Sequence, residues 1–202
     1  MRIGAKRSLH RLPFVLAACV CIAAAQQNPP QSGQTRAVGT PQLKLMSPAF
    51  SNRSALPIQY TQFGQPPSVS PPLQWSNVPE GTAAFVLILY DMESRPREGN
   101  FNGFLHWMVW NLPGNATGLP EGVSPASAEL PDSSRQTNGR PSEGNFGYRG
   151  SSAGPGDTHH YLFELFALDQ KINLPPNPAR VDAQKAMEGH IVGHAILITY
   201  FP

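Results

Sequence analysis

Two histidines lie inside apolar, aromatic runs, where the burial of a polar ring requires a structural or functional explanation. His106 lies in the run 104–107, and His159 begins the run 159–163. Burying an imidazole costs free energy unless its nitrogens are hydrogen-bonded. A satisfied core histidine is the ordinary explanation for either one alone. The two runs together, with Asp91 at the end of a third apolar run, favour a polar pocket.

The alternation of side chains along a strand decides which of these groups can meet. His159 and Tyr161 fall on one face of their strand and can point into one cavity, whereas His160 falls on the other face. By the same alternation, His106 shares a face with Met108. We therefore expect His106, His159 and Tyr161 to contribute to one site.

Two carboxylates complete this set. Asp91 ends its strand, and Glu93 lies two residues further on, at the entrance of a loop. Imidazole and phenol groups can donate hydrogen bonds to an anion such as phosphate, while a carboxylate fixes the tautomer behind them. The same residue types could bind a metal. No HxH or HExxH pair occurs, so we predict neither a metal nor a cofactor.

Catalytic motifs are weak or missing in this sequence. It has no G-x-S-x-G elbow, P-loop or dinucleotide fingerprint. Asp91 and Glu93 are a carboxylate pair of the kind that glycosidases use, but they lie at a loop entrance. We predict a protein that is not an enzyme. The catalytic alternative is a hydrolase with His106 or His159 as its general base.

The first residues have the composition of an export signal. Four basic residues precede an apolar stretch over Leu12–Ala25, and small residues end it before Gln26. This predicts a secretory signal peptide over 1–25 and a periplasmic or secreted protein. The stretch is shorter than the roughly 20 apolar residues that span a bilayer. We therefore expect it to be a cleaved leader and expect no transmembrane segment in the mature chain. Lipidation at Cys19 is the alternative, but the apolar run continues past that residue.

Loss of the leader changes the charge and the cysteine content. Four of the 15 basic residues lie in it, which leaves 11 basic and 13 acidic residues, a net charge of −2. No basic stripe elsewhere suggests a nucleic-acid partner. Cys19 and Cys21 are both in the leader. The mature chain is therefore predicted to have no disulfide, despite an oxidising destination.

The remaining chain divides into a spacer and one domain. Residues 26–42 are rich in Gln, Pro, Gly, Ser and Thr, which predicts a flexible spacer. Residues 43–202 have the size of one domain. Apolar runs rich in aromatic and branched residues, separated by Pro and Gly, predict strands joined by loops. These runs are 43–46, 82–90, 104–112, 161–168 and 195–201.

Helix signals are few. Asn177 as a cap, Pro178 in the first turn and Gly189 past the end predict a helix over 178–188. A second short helix could lie in 124–130. The fold predicted from these patterns is mostly β, a two-sheet antiparallel β-sandwich with a few peripheral short helices.

Short motifs follow one another in a distinctive order along this domain. They are Ser47-Pro48-Ala49-Phe50, Pro72-Leu73-Gln74-Trp75, Val78-Pro79-Glu80-Gly81-Thr82, Asp91-x-Glu93, Leu105-His106-Trp107, Gly147-Tyr148-Arg149-Gly150, His159-His160-Tyr161 and Gly189-His190-Ile191. This succession resembles the phosphatidylethanolamine-binding protein family, and in particular its bacterial Raf-kinase-inhibitor-like branch.

The resemblance implies a β-sandwich with a small pocket near one end that takes phosphate-type groups, including phospholipid headgroups. Carried over by position, Asp91, His106, His159 and Tyr161 form the pocket wall. Glu93 stands where the family usually has a second Asp.

Three features depart from the family pattern. Residues 91–96 read Asp-Met-Glu-Ser-Arg-Pro instead of beginning Asp-Pro-Asp-Ala-Pro. Residues 150–155 replace a Gly-Pro-x-Pro-Pro lip, in a loop that is shortened. His160 replaces an Arg and so removes a permanent cation. The rim of the implied pocket is altered while its base is intact.

The function predicted from these observations is an exported, non-catalytic binding protein for a small phosphorylated or anionic ligand, of which a phospholipid headgroup is one candidate. The alternative is a protein-interaction or inhibitor module that regulates a secreted hydrolase. The long segment 114–145 would offer exposed surface to such a protein partner.

Overall fold

A computed structural model describes residues 42–64, 66–94, 103–154 and 156–201. The predicted leader, its Cys19 and nearly all of the predicted spacer lie outside these residues. The described chain forms a short 3-10 helix at Ile58–Tyr60, one α-helix, α1, at Arg180–Met187, and nine strands. The strands are β1 Lys44–Met46, β2 Ser54–Ala55, β3 Leu73–Ser76, β4 Ala84–Asp91, β5 Phe104–Pro113, β6 Gly118–Leu119, β7 Arg135–Thr137, β8 His159–Leu168 and β9 Ile191–Phe201.

The strands form two sheets. The larger has the order β2-β9-β8-β4-β5-β7 and the smaller the order β1-β3-β6. All of the pairs are antiparallel apart from β2 with β9, which is parallel. The predicted mostly-β, two-sheet fold is confirmed. In the larger sheet, β4 and β8 are central, which explains why both are apolar on each face.

Successive side chains of β4 point to opposite faces of the sheet and enter two separate cores. Phe85, Leu87 and Leu89 enter an inner core with residues of the smaller sheet, whereas Val86 and Ile88 face an outer core. The inner core also contains Leu45, Leu73, Trp75, Trp107, Val109, Phe163, Leu165 and Leu197. Each such side chain, when fully buried, contributes about 1.5–3 kcal/mol of transfer free energy.

The long strands lie where the sequence predicted them, within a few residues at each end. The strands β2, β3, β6 and β7 were not predicted, because two to four residues carry no measurable period. The segment 124–130 forms turns and a bridge, so the short helix expected there is wrong.

The predicted helix exists but begins differently. Asn177 has φ 51° and is not the cap, so that part of the prediction is wrong. Ala179 occupies the cap position, and its backbone N–H donates to the Asp182 carboxylate at 2.9 Å. Gly189 adopts φ 81° just past the helix end, as expected for a left-handed residue there.

Helix α1 covers the outer core and is held to the large sheet by Arg180. Ala183 and Met187 are buried against that core. Arg180 Nη2 donates to Glu164 Oε2 at 3.2 Å, and its guanidinium lies 3.5 Å from the ring centroid of Tyr90. The side chains of Arg180 and Glu164 are only 15% and 12% exposed, so this pair is largely desolvated.

Replacing Arg180 with Ala is expected to lower the free energy of unfolding by about 3 kcal/mol, because it takes the guanidinium from a mostly buried carboxylate. His194, 3.5 Å from Glu164, would remain as a weaker described partner. The control Lys185→Ala, exposed on the same helix, should change it by no more than about 0.5 kcal/mol. Urea unfolding measures both. If Arg180→Ala and Lys185→Ala lowered the free energy of unfolding equally, Arg180 would not be what holds the helix to the sheet.

Candidate functional site

Asp91 is the centre of the candidate site. Its side chain ends β4 and is nearly buried. Oδ2 accepts a hydrogen bond from His159 Nδ1 at 2.7 Å, and Oδ1 accepts from the backbone N–H of Glu93 at 2.9 Å and of Ser94 at 3.0 Å. The turn after β4 therefore wraps around the carboxylate. Because this oxygen only accepts, His159 carries a proton on Nδ1.

His106 is the most deeply buried imidazole of the described chain, with 2% of its surface exposed. Its Nδ1 donates to the backbone carbonyl of Arg149 at 2.9 Å. Burial lowers the pKa of His106 to about 4, although that hydrogen bond and the charge of Asp91 act in the opposite direction. The ring is thus neutral at pH 7, with its proton on Nδ1 and a lone pair on Nε2.

A β-bulge directs His106 into the site. Leu89 pairs with Trp107 and Tyr90 with Leu105, so His106 has no counterpart on β4. The expectation that His106 shares a face with Met108 is wrong, because Met108 lies in the outer core. The extra residue shifts the alternation, and the His106 ring instead meets Tyr161, a member of the inner core.

Tyr161 joins the two histidines. Its ring lies edge-on to His106 at a centroid distance of 5.2 Å and is stacked near His159 at 6.4 Å. Its hydroxyl is buried and has no hydrogen-bond partner among the described residues, and the same is true of Ser151 Oγ. Burial and the charge of Asp91 raise the pKa of Tyr161. The Ser152 amide and the Ser151 hydroxyl face the phenol oxygen and oppose that rise without reaching hydrogen-bond geometry.

Glu93 makes a different contact from the other predicted site residues. Its Oε1 lies 2.7 Å from His160 Nδ1, and its Oε2 accepts from the His160 backbone N–H at 2.6 Å. Burial, the largest single influence, would raise the pKa of Glu93, but these two hydrogen bonds and smaller local contributions together lower it. The pair is well exposed. The structure therefore brings Asp91, His106, His159 and Tyr161 together and places Glu93 beside them, on His160.

The sequence matches one known protein family and several of its relatives. The family model described as "Phosphatidylethanolamine-binding protein" matches residues 46–202. The chain belongs to this family. A UPF0098 protein of Methanothermobacter thermautotrophicus is 38% identical over 156 residues, covering 77% of this chain and 96% of the relative. The "Putative lipoprotein LppC" of Mycobacterium tuberculosis is 28% identical over 214 residues, covering 96% of this chain and 98% of the relative.

Solved structures agree with the family assignment. The phosphatidylethanolamine-binding protein homologue CT736 of Chlamydia trachomatis has a TM-score of 0.64 at 29% identity, covering 80% of this chain and 97% of that one. Escherichia coli YbcL has a TM-score of 0.65 at 27% identity, with coverage of 80% and 98%. The chain thus has the fold of the phosphatidylethanolamine-binding protein family.

Backbone groups of the family motif at 147–150 are the part of the site that sequence reasoning missed. The Arg149 carbonyl holds His106, and Ser151 follows directly. The backbone at Gly150 packs directly against that of Thr61 and Gln62. A Cβ at Gly150 would lie 2.4 Å from the Thr61 carbonyl carbon and 2.6 Å from Gln62 N, so the glycine is the sequence signal of this close approach. The motif contributed to the resemblance, but the roles of the Arg149 carbonyl and of the adjacent Ser151 hydroxyl appear only in the three-dimensional structure.

Three other kinds of feature could indicate a role in the described structure: metal clusters, membrane-spanning helices and the groove beside β3. Within the described ranges, no group of three or more His, Cys, Asp or Glu side chains could hold a metal ion. No helix there is both long and apolar enough to cross a bilayer. A groove of about 500 Å³ lies against 72–75 and 117–120, but no titratable side chain lines it. The candidate site is therefore identified by its titratable and hydrogen-bonding side chains and not by the volume of a cavity.

The depressed pKa of His106 predicts a pH dependence of stability. Its pKa is about 4 folded against 6.5 unfolded, so the unfolded chain binds more protons between these values and stability falls as pH falls. From pH 7.5 to pH 5 we expect the parent to lose about 2 kcal/mol more than His106→Asn does. Urea unfolding at the two pH values measures this. Identical pH slopes for parent and variant would contradict a neutral, buried His106.

Proposed function

We propose that this chain is an exported, non-catalytic binding protein whose site at Asp91, His106, His159 and Tyr161 takes a phosphate-type oxyanion. The ligand is inorganic phosphate or the phosphate of a phospholipid headgroup. The observation that carries this proposal is the buried Tyr161 hydroxyl, which lacks a described partner and lies beside two imidazoles.

An oxyanion suits the hydrogen-bonding groups of this site. A buried hydroxyl that stays unpaired costs about 1–3 kcal/mol, and both Tyr161 and Ser151 have one. The oxygens of a phosphate can accept from both hydroxyls and from the nearby Ser152 amide. Asp91 accepts from His159 Nδ1 and so fixes the tautomer and orientation of that ring beside such an anion. An apolar ligand would leave these groups unsatisfied.

The histidine contacts support binding rather than catalysis. Serine and cysteine nucleophiles are activated by a hydrogen bond to an adjacent base. The Nδ1 of His106 instead faces a backbone carbonyl, and that of His159 faces a carboxylate. The hydroxyl of Ser151 faces Tyr161. Among the described hydrogen bonds, none joins a histidine to a hydroxyl, so a nucleophile–base pair has no support there.

Export rests on the amino-terminal sequence and on one relative. The basic and apolar composition of 1–25 is typical of a secretory leader. The mycobacterial relative whose name includes "lipoprotein" aligns over nearly the whole chain. Cleavage before Gln26 remains our preferred processing, with a lipid anchor on Cys19 as the alternative.

Tyr161→Phe tests the proposal, because it removes the unpaired hydroxyl and keeps the ring. We expect its affinity for inorganic phosphate and for glycerophosphoethanolamine to fall by about tenfold or more, as for a lost hydrogen bond to a charged group. Tyr90→Phe, on the outer face of the same sheet, is the matched control and should bind like the parent. Calorimetry measures both. A folded parent that binds neither probe would instead favour the protein-interaction alternative.

Anion binding should also take up protons. The free protein keeps His106 neutral at pH 7, whereas a bound anion favours the imidazolium, so affinity rises as pH falls. The increase should approach about tenfold per pH unit where one proton is taken up. Calorimetry in buffers of different ionisation enthalpy counts these protons, and His106→Gln should reduce the count. Binding that takes up no proton in the parent would mean that the ligand meets a neutral site.

A further inference from the structure

A second polar cavity is lined in part by Tyr148 and Arg149, from the segment whose carbonyl holds His106. It has a volume of about 240 Å³, and its walls include Gln62, Pro66, Pro67, Ser68, Asn145 and Arg149. We call it the Arg149 cavity. At about 30 Å³ for each water, it has room for about eight water molecules, or for a small organic acid.

Arg149 is the unexplained group in this cavity. Its Nε is buried and has no hydrogen-bond partner among the described residues. The ion pairs of the described chain, which involve Asp91, Glu93, Glu164 and Asp169, do not include it. Arg149 as a whole is only half-buried. The orphaned group is its Nε–H, which water no longer reaches and no carboxylate satisfies, and such a desolvated donor on a cation is costly.

The remaining walls suit a small oxyanion with a short apolar part. Side-chain amides of Gln62 and Asn145 and the hydroxyl of Ser68 can donate hydrogen bonds. The rings of Pro66 and Pro67 carry no donor and offer apolar surface. No acidic side chain is among the residues that line the cavity. A cation set among neutral donors attracts an anion and would not favour a metal.

The cavity and the site share one wall. The Arg149 carbonyl accepts from His106 on one side, and the Ser151 carbonyl accepts from the backbone N–H of Gln62 at 2.9 Å on the other. Gly150 lies between them, pressed against Thr61 and within 2.8 Å of Ser68 Oγ for a Cβ built there. The two spaces are therefore adjacent but have different lining groups.

We propose that the Arg149 cavity is a second ligand site, which binds a small molecule through a carboxylate, sulfate or phosphate group on the Arg149 guanidinium. The planar guanidinium can hold two oxygens of such a group at once. This inference does not depend on the proposed function of the site at Asp91 and His106.

The test uses the full chain and follows the Arg149 Nε–H signal by ¹H–¹⁵N NMR, assigned by its loss in Arg149→Lys. Succinate, sulfate and inorganic phosphate are titrated separately, so that carboxylate and tetrahedral anions are distinguished. We expect at least one to shift this signal in the parent. Calorimetry, which does not need that signal, should show that Arg149→Gln weakens the same binding by about tenfold or more. Arg140→Gln, an exposed arginine nearby in sequence, should bind as the parent does.

Tyr161→Phe separates the two sites, because it removes a hydroxyl from the first and leaves the Arg149 cavity intact. Retention of the Nε shift in this variant supports a second site, even if phosphate binding at the first site fails. Loss of the shift in Tyr161→Phe would reduce the two sites to one and overturn the proposal. Its absence with all three anions would also overturn it.

Glu98 is the one acidic side chain of the sequence outside the described residues. In Glu98→Gln without added anion, we expect the Arg149 Nε–H signal to stay where it is in the parent. A shift there would identify Glu98 as the partner of Arg149 and overturn the proposal. If Arg149→Gln does not unfold cooperatively, the anion titration of the parent decides the matter without it.

Discussion

The hydrogen bonding of one buried carboxylate constrains this end of the sandwich. Asp91 is paired in register with Phe104 on β5 and with Tyr161 on β8, so it lies between the strands that carry both histidines. Leaving such a charge unpaired would cost several kcal/mol. The turn after β4 and the first residue of β8 supply three donors. Gly103 adopts φ 83° where a Cβ would lie 2.1 Å from the Asp91 carbonyl oxygen, so the returning chain needs glycine there.

The site leaves the packing of both cores continuous, because its polar groups occupy strand ends and one bulge. Between those ends β4 and β8 remain apolar and fill both cores. The bulge at His106 changes one side chain from the outer to the inner face without moving its neighbours Trp107 and Leu105 from their cores. Such local irregularity gives a chain a way to place a histidine inside a pocket while the rest of the sheet keeps its register.

The sequence predicted features that are set by neighbouring residues better than features that are set by tertiary contacts. Alternation placed His159 and Tyr161 together and His160 apart, because β8 is regular up to its last residues. It failed for His106, since the bulge depends on how β5 pairs with β4 and has no signature of its own in 104–110. The role of the Arg149 carbonyl was also hidden, because every residue has a carbonyl and only tertiary contacts select one. Helix α1 was predicted by its composition, but its cap was missed because Asp182 supplies the acceptor from inside the helix.

Two departures from the usual family pattern are in direct contact with each other. Glu93 stands where an Asp is usual and His160 where an Arg is usual, and in this chain they form a close pair. Glu is one methylene longer than Asp, whereas His is shorter than Arg, so the combined reach of the pair is roughly kept. Both carboxylate oxygens of Glu93 are already satisfied by His160, and its lowered pKa keeps it charged. For the anion that we propose as ligand, Glu93 would therefore contribute little, and recognition would fall to the imidazoles and to the buried hydroxyls of Tyr161 and Ser151.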